Sequence, residues 1–364
     1  LVAVLWVAAF PVVCVSTGEA KPRGLFVSEN ALPRGHRVLR GDEDDVQRAK
    51  FLAAELHAST ASPVEFFQGA LLQAGADDVE RVHYQCPDGR RLASVVGVVR
   101  AATKHGSSQQ GVVVGARLPN VRNSTVQELR ADASVLAVAG VSALRRMPWL
   151  ACDVLVVLGG GSCTADDAAD FESWLTAYKE GSWSLRLRAG ALRMAVVFDW
   201  PGTAAAASDG VAVIPHGAFG RMPDLDLVTI ALQHWGMGGT TVAVSRSGRA
   251  PATSYDAALG DMISHWVALG VGHPEPHTPF LARSIDSITV APLPSTRQPS
   301  PRRTTAVVQH WFSGFLLFVE AASSLEERLH ASFYLYFLLS PQGFVSVGEY
   351  LYAGALSCIA PAIA

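Results

Sequence analysis

Charge is scarce in this sequence. Only 17% of its 364 residues are Asp, Glu, Lys or Arg, against about 25% in average soluble proteins. The net charge is −3, so the chain carries no basic field of the kind that attracts nucleic acid. Cysteine is also rare, and five cysteines in a chain of this length are too few for a disulfide scaffold. Hydrophobic residues make up 49% of the chain, which is enough to bury a large core.

Both ends of the sequence lack charge almost completely. Residues 1–15 carry none, but a spanning helix needs about 20 residues, so we interpret 1–17 as the end of a first transmembrane helix and 18–40 as a linker. A signal-peptide core is the alternative for the same stretch. Residues 341–364 are interpreted as the start of a second transmembrane helix, with a buried C-terminal helix as the alternative.

Between these ends, strands and helices alternate. Apolar runs at 92–99, 111–116, 153–159 and 192–199 have the pattern of strands buried on both faces. Capping boxes at Ser62 to Glu65 and Thr125 to Glu128 open two helices, and the second is expected to run to about Arg146. This order predicts an α/β fold, with a mostly parallel sheet covered by helices over residues 41–310.

The next segment changes composition. Residues 292–303, PLPSTRQPSPRR, are rich in proline, serine and arginine and are interpreted as an exposed linker. Contact of Arg302 and Arg303 with lipid headgroups is the alternative to a solvated linker. Residues 311–340 are expected to form a juxtamembrane amphipathic helix that leads into the terminal apolar segment.

Two motifs resemble parts of catalytic sites, but one lacks required residues and the other has the wrong chain order. LGGGSCT at 158–164 follows a strand but lacks GxGxxG and the P-loop lysine, so a plain glycine turn is the favoured interpretation. Cys163 and the later His216 have the reverse of the caspase-like chain order, which excludes that pair. Cys86, Cys152 and Cys163 are the candidates for disulfide pairing, and sequence does not decide whether they pair.

A metal centre is a more serious hypothesis. PHTPFLARSID at 276–286 and VVFDWPG at 196–202 are similar to segments of the zinc aminopeptidases, and the second would supply the ligand Asp199. The resemblance fails at the other ligands, because Arg117 and Pro119 stand where that family has His and Asp. A single remaining ligand cannot hold zinc, so we expect no metal and no other cofactor, with Asp199 as a residual ligand-like residue.

The end of the chain carries the most specific motif. SLEERLHASFYLYFLLSPQGFVSVGEYLY at 324–352 resembles the juxtamembrane signature of the glycosylphosphatidylinositol (GPI) anchor attachment subunit family of GPI transamidase. The matching positions, in order, are Glu327, Arg328, His330, Ser332, Phe333, Pro341, Phe344, Val345, Ser346, Gly348 and Tyr350. Segments 171–181, 188–199 and 220–228 also resemble family motifs, so the resemblance covers roughly residues 92–352.

This resemblance implies a function, a location and a set of partners. The chain would be a noncatalytic subunit in the endoplasmic reticulum membrane, with its main domain in the lumen and catalysis in a separate caspase-like cysteine protease. It would support assembly of the complex and presentation of the GPI lipid. A membrane-anchored metal-dependent peptidase or peptide-bond-forming enzyme is the first alternative, and an adaptor unrelated to GPI attachment is the second.

Individual residues are also assigned. Asn123 opens an Asn-Ser-Thr sequon and is the predicted N-glycosylation site. A set of aromatic side chains is suited to the bilayer interface, either touching the GPI lipid or only anchoring a helix at the headgroups. These residues are Trp311, Phe333, Tyr334, Tyr336 and Tyr350.

Overall fold

The fold is taken from a computed structural model of the chain. The structure describes residues 43–85, 89, 91–101, 110–147, 150–159, 171–179, 185–206, 208, 210–217, 220–236, 241–244, 255–271, 275–294, 300–325, 336–340, 343–347 and 351. The predicted segments 1–17 and 18–40 therefore lie outside the described residues, as does most of 341–364.

An eight-stranded sheet forms the centre of the molecule, in the order β1-β2-β4-β3-β5-β8-β6-β7. The strands are β1 Asp78–Gln85, β2 Arg91–Val99, β3 Gln110–Arg117, β4 Asp153–Gly159, β5 Ala191–Phe198, β6 Gly210–Ile214, β7 Thr241–Ala243, β8 Asp286–Pro292, β9 Tyr336–Ser340 and β10 Gly343–Ser346. Strands β9 and β10 form a separate antiparallel pair.

The predicted α/β fold is confirmed, and the sheet is mixed, with four of its seven neighbouring strand pairs parallel. The central strands β4, β3, β5 and β8 are parallel neighbours. Towards the edges, β2 is antiparallel to both β1 and β4, and β6 is antiparallel to β8. The apolar runs indicated buried strands correctly, but burial on both faces does not specify direction.

The helices cover both faces of the sheet. They are α1 Glu43–Ala58, α2 Pro63–Gln73, α3 Val126–Arg130, α4 Ala133–Arg145, α5 Glu172–Lys179, α6 Gly202–Ala205, α7 Leu225–Gly236, α8 Tyr255–Val271, α9 Thr278–Ala282 and α10 Pro301–Ser324. Alternation along β4 shows the two layers, because Val154 and Val156 pack with one helical layer while Leu155 and Val157 pack with Trp174 of α5 on the other.

Both predicted capping boxes are present. The Ser62 and Thr125 side chains accept hydrogen bonds from the backbone N–H of the glutamate three residues later, and each glutamate accepts in return. The single helix predicted from Thr125 to Arg146 is nevertheless wrong. It is divided into α3 and α4, because the Asp132 carboxylate accepts a hydrogen bond from Ser134 N and caps a new helix.

Helix α10 corrects the predicted organisation of the C-terminal third. Ser300 caps it and Pro301 occupies its first turn, so Arg302 and Arg303 belong to a helix rather than to the predicted linker. The expected boundary between residues 310 and 311 falls inside this helix. Residues 336–340 are a strand instead of the end of a juxtamembrane helix, and Gly343–Ser346 is a strand inside the expected second membrane segment.

The reason for this correction is packing. Most of the second half of α10 is buried, and its aromatic side chains contact α7 and the end of β5. An apolar helix face is equally compatible with a membrane and with a protein core, and here the core covers it. Within the described residues, no helix has the length and apolarity to cross a bilayer.

Candidate functional site

A cleft of about 360 Å³ opens at the carboxyl ends of β3 and β5. In open α/β sheets this edge is where ligands bind, because the loops that follow adjacent parallel strands diverge there. The polar side chains that line the cleft are Arg117, Asn120, Asn123, Ser124, Asp132, Asp199 and Thr203. The cleft therefore contains the residual ligand-like Asp199 and the predicted glycosylation site together.

Asp199 follows β5 directly, and its backbone N–H donates to Val290 O at 3.0 Å. Its carboxylate lies 4.0 Å from the guanidinium of Arg117, the last residue of β3, and both side chains are partly exposed, at 18% and 27%. Arg117 stands where the zinc aminopeptidases have a metal ligand, so this chain has a cation at that position. A guanidinium beside Asp199 supplies the positive charge that a bound metal would otherwise provide to this carboxylate.

Asp132 is a second carboxyl group in the same cleft, and sequence analysis missed it. It accepts hydrogen bonds from Ser134 N at 3.0 Å and Gly202 N at 3.2 Å, and Ser134 Oγ donates to it at 2.6 Å. Burial raises the pKa of Asp132 to about 6, although these donors lower it in part. The sequence signal was the Asp132-Ala133-Ser134 step that caps α4, inside the segment predicted as one continuous helix.

We expect Asp132 to make stability pH-dependent. Its pKa is 3.8 when unperturbed and about 6 in the folded protein, so the folded state holds the proton more tightly than the unfolded state. The stability that this proton contributes is complete below about pH 4 and is lost as the pH rises through about 6. Relative to Asp132→Asn, the wild-type protein should lose up to about 3 kcal/mol of unfolding free energy across this window.

Urea unfolding of both proteins at pH values from about 4 to about 7 measures this difference. Asparagine accepts the hydrogen bonds from Ser134 and Gly202 less well than aspartate does. This loss changes the unfolding free energy of the variant by an amount that does not depend on pH. A difference that stays constant with pH would show that Asp132 does not titrate in this range.

Asn123 ends a short 3-10 helix, Val121–Asn123, and is exposed. Its neighbour Ser124 donates a hydrogen bond to Asn120 O at 2.9 Å, and Thr125 caps α3. The sequon thus lies on the surface at the edge of the cleft, where a glycan has room.

The structure does not place the predicted interface aromatics together on a surface. Trp311 is fully buried and stacks on Phe315 at a centroid distance of 4.7 Å. Tyr336 is 1% exposed, and its hydroxyl donates to Pro223 O at 3.2 Å. For these two residues, burial in the protein core replaces the expected contact with headgroups. Phe333, Tyr334 and Tyr350 lie outside the described residues.

The other chemical candidates lie elsewhere. His277, from the aminopeptidase-like loop, is buried at the start of α9, with its Nδ1 2.8 Å from Thr289 Oγ1. His216 follows β6, which stands two positions from β5 in the strand order, and its ring lies 5.7 Å from that of His265. Burial, and to a lesser degree His216, lowers the pKa of His265 to about 3, so His265 is neutral at physiological pH.

Among the described residues, no group of three or more His, Cys, Asp or Glu side chains has an arrangement that could hold a metal ion. Cys86 and Cys163 lie outside the described residues, whereas Cys152 is a buried free thiol. Asp199 is therefore accompanied by Arg117 and Asp132 in the cleft rather than by a described set of ligands.

Comparison with known proteins adds the family. A curated relative, "GPI transamidase component GAA1" of Saccharomyces cerevisiae, is 29% identical over 240 residues, which are 62% of this chain and 36% of the yeast protein. The chain thus spans about a third of that relative's length.

Two solved structures are similar at TM-scores below 0.5. One is an aminopeptidase, LapA of Legionella pneumophila, with TM-score 0.47 and 11% identity over 83% of this chain and 78% of LapA. The other is a glutaminyl cyclase of an Acidobacteriales bacterium, with TM-score 0.49 and 13% identity over 77% of this chain and 95% of the cyclase.

The profile of the family described as "Gaa1-like, GPI transamidase component" matches residues 93–364, well over half of the sequence. This range contains the cleft, the sheet from β3 onwards and the signature at 324–352. The chain belongs to the Gaa1-like family of GPI transamidase components.

Proposed function

We propose that this chain is a noncatalytic subunit of GPI transamidase, which supports assembly of the complex and presents the GPI lipid. The observation that carries the proposal is the family match over residues 93–364. The main domain would lie in the lumen of the endoplasmic reticulum, on an aminopeptidase-like scaffold. Its partners would be the other subunits, including a caspase-like cysteine protease that supplies the nucleophile.

The cleft supports the noncatalytic part of this proposal. The Arg117 guanidinium lies 4.0 Å from Asp199, in the position from which a zinc enzyme would supply metal ligands. The partly exposed Arg117 cation beside the remaining carboxylate disfavours binding of a second cation there, because like charges repel at short range. A subunit that assembles and presents substrate has no need of a metal at this point.

Co-purification tests the proposal. The tagged full-length protein is purified in a gentle detergent, and its partners are identified by mass spectrometry. A caspase-like cysteine protease in fixed ratio, with uncleaved GPI-signal precursors accumulating when the protein is depleted, is the expected result. Isolation of the chain alone, with normal levels of GPI-anchored surface proteins after depletion, would contradict it and leave the adaptor alternative.

One observation favours a second candidate, a metal-dependent peptidase or peptide-bond-forming enzyme. Asp132 and Asp199 line the same cleft, and a carboxyl group whose pKa is raised to about 6 is suited to general acid–base chemistry. This candidate requires stoichiometric metal that is lost in Asp199→Ala. Metal analysis of the folded wild-type protein and of this variant decides between the two.

The lumenal location makes a separate prediction at Asn123. We expect the expressed protein to carry an N-glycan there, because the sequon is exposed beside the cleft. Asn123→Gln should remove a mobility shift that endoglycosidase treatment also removes in the wild type, and peptide mass spectrometry locates the glycan.

The neighbouring Thr125 provides matched variants. Thr125 Oγ1 accepts from Glu128 N at 3.2 Å, so Thr125→Val should lose both the glycan and the helix cap, at a cost of about 1 kcal/mol. Thr125→Ser should keep both. A wild-type protein without the shift, expressed with its membrane segments in a eukaryotic cell, would argue against a lumenal domain.

A further inference from the structure

The cleft that contains Asp199 has a glycosylation sequon in its own wall. Asn123, the predicted N-glycosylation site, lines the cleft and is exposed. It is the last residue of the 3-10 helix that forms this wall, whereas Pro201 and Thr203 belong to another wall. An N-glycan on Asn123 would therefore begin at the cleft itself.

The accessible part of the cleft favours a neutral, polar ligand. Among its described lining residues, the partly exposed Arg117 and Asp199 contribute one positive and one negative charge, 4.0 Å apart. Asn120 and Thr203 are exposed and add an amide and a hydroxyl, which both donate and accept hydrogen bonds. Pro201 adds an exposed apolar surface. This lining suits a molecule with hydroxyl groups, an amide and a small apolar group.

The size of the cleft narrows the ligand further. Its volume of about 360 Å³ lies at the lower end of the range of about 300–1,000 Å³ for small-molecule sites, so it suits a single sugar ring rather than a long oligosaccharide. The first sugar of an N-glycan is N-acetylglucosamine, which is neutral and carries hydroxyl groups, an amide and a methyl group. We propose that the N-acetylglucosamine attached to Asn123 occupies this cleft over Arg117 and Asp199, with the outer sugars in solvent.

Covalent attachment makes this occupancy favourable even when the intrinsic affinity is weak. A ligand held by a short flexible linker has an effective concentration in the millimolar range. At about 1 mM, an intrinsic Kd of about 0.1 mM keeps the cleft about 90% occupied. A free molecule would have to displace a sugar that cannot diffuse away. The glycan thus closes the cleft to substrates, which agrees with a noncatalytic subunit.

This inference deepens the proposed function and rests on one part of it, the lumenal location, because a sequon receives its glycan on the secretory side of the membrane. It does not depend on which subunits the chain binds. Co-purification with a caspase-like protease therefore tests the proposed function separately from the occupancy of the cleft.

The test measures how accessible the first sugar is in the folded, full-length glycoprotein in detergent. Peptide-N-glycosidase F cuts the bond between asparagine and the first sugar, so it needs access to that sugar. Endoglycosidase H cuts between the first and second sugars and leaves the first one attached. The control is Thr60→Asn, which creates a second sequon with Ser62 in the exposed segment between α1 and α2 and keeps the Ser62 cap. Peptide mass spectrometry follows both glycans in the same molecule.

We expect peptide-N-glycosidase F to release the Asn123 glycan from the folded protein about tenfold more slowly than the control glycan, because only about 10% of the molecules expose the first sugar at a given time. Endoglycosidase H should cut at both sites at similar rates. Thr203→Trp, which fills the cleft from an exposed position, should displace the sugar and restore fast release at Asn123.

Amide hydrogen exchange provides a second measurement, which serves if Thr203→Trp does not fold. Residues 117–124 and 199–203 form the cleft walls and should be protected equally in the intact and the endoglycosidase-trimmed protein, since both keep the first sugar. Asn123→Gln should lose this protection, whereas Thr125→Ser, which keeps the sequon, should retain it.

Equal release rates at Asn123 and at the control site would show a glycan that points into solvent and would overturn the inference. Exchange that is unchanged in Asn123→Gln, or a mature protein without a glycan at Asn123, would overturn it as well. If the protein still co-purifies with the transamidase subunits in any of these cases, the proposed function stands without the inference. Slow release from a protein that is isolated alone would support the occupied cleft and contradict the proposed function.

Discussion

Replacing Trp311 with alanine is expected to destabilise the protein by about 3–5 kcal/mol. Trp311 is fully buried in α10. Its ring stacks on Phe315 and lies 4.9 Å from Phe198 and 5.5 Å from Phe312, measured between centroids. Alanine would leave a cavity where α10 meets the end of β5, and this contact holds α10 on the sheet.

Two further variants separate packing from other roles of Trp311. The indole N–H has no hydrogen-bond partner among the described residues, so Trp311→Phe keeps most of the packing and should cost less than about 1.5 kcal/mol. Phe51→Ala, at a side chain that is 66% exposed, should change stability by no more than about 0.5 kcal/mol.

Urea or thermal unfolding of the three variants measures these differences. The opposite pattern, in which Trp311→Ala leaves stability unchanged and reduces only lipid association, would restore the interface role that the sequence suggested for Trp311. A variant that fails to accumulate as folded protein agrees with the core role, because the expected loss is a large part of the stability of a typical domain.

Gly202→Ala is expected to have the second large effect, a loss of about 3 kcal/mol or more. A Cβ atom at Gly202 would lie 2.0 Å from Glu128 O and 2.6 Å from Glu128 C. These are backbone atoms of α3, so rotation of a side chain cannot make room for the methyl group. The loop at 199–202, which connects β5 to α6, would have to move as a unit and would carry Asp199 and Trp200 with it.

The same loop is held at two other points, which makes its displacement costly. Gly202 N donates to the Asp132 carboxylate at 3.2 Å, and Ala133 N donates to Trp200 O at 3.1 Å. Moving the loop would break these bonds and leave a buried carboxylate with fewer donors. The variant should therefore also change the pH dependence that Asp132 confers.

Gly69→Ala is the matched control. Gly69 lies inside α2, and nothing is within 4 Å of a Cβ built there. Alanine at such a position should stabilise the helix by about 0.5–1 kcal/mol, because glycine in a helix interior costs about that much. Chemical denaturation of both variants should therefore show changes of opposite sign, and equal changes would contradict the close approach at Gly202.

Sequence patterns located the centre of the sheet but not its edges. The runs at 153–159 and 192–199 correspond to β4 and β5 within one residue, because central strands buried on both faces are continuously apolar. Strand β1, DVERVHYQ, was not predicted, since only Val82 in it is buried and its exposed side chains are those of an edge strand. Strand β6 has five residues, too few for periodicity to distinguish it from a helix segment.

The candidate site was predicted only in part. Asp199 was identified because it follows a recognisable strand, and the mismatch at Arg117 was visible in the sequence. Long-range packing forms the ion pair between Arg117 and Asp199. It also brings Asp132, which is 67 residues from Asp199 in the chain, into the cleft beside Trp200. A pattern of neighbouring residues contains no information about such distances.

The sequence by itself determined where two capped helices begin and to which family the chain belongs. The capping boxes start α2 and α3 because their side-chain groups lie within three residues of the backbone groups that they satisfy. The signature at 324–352 is a property of residue order alone, and it agreed with the family match over 93–364.

Only the tertiary structure decided what the apolar helix around Trp311 faces. Lipid and protein interior both remove apolar side chains from water, so they select the same residues, and composition cannot distinguish them. The direction of the edge strands, the division between α3 and α4, and the pairing of Arg117 with Asp199 were settled in the same way. Each depends on which distant segment supplies the partner, and that is fixed when the chain packs rather than by the local sequence.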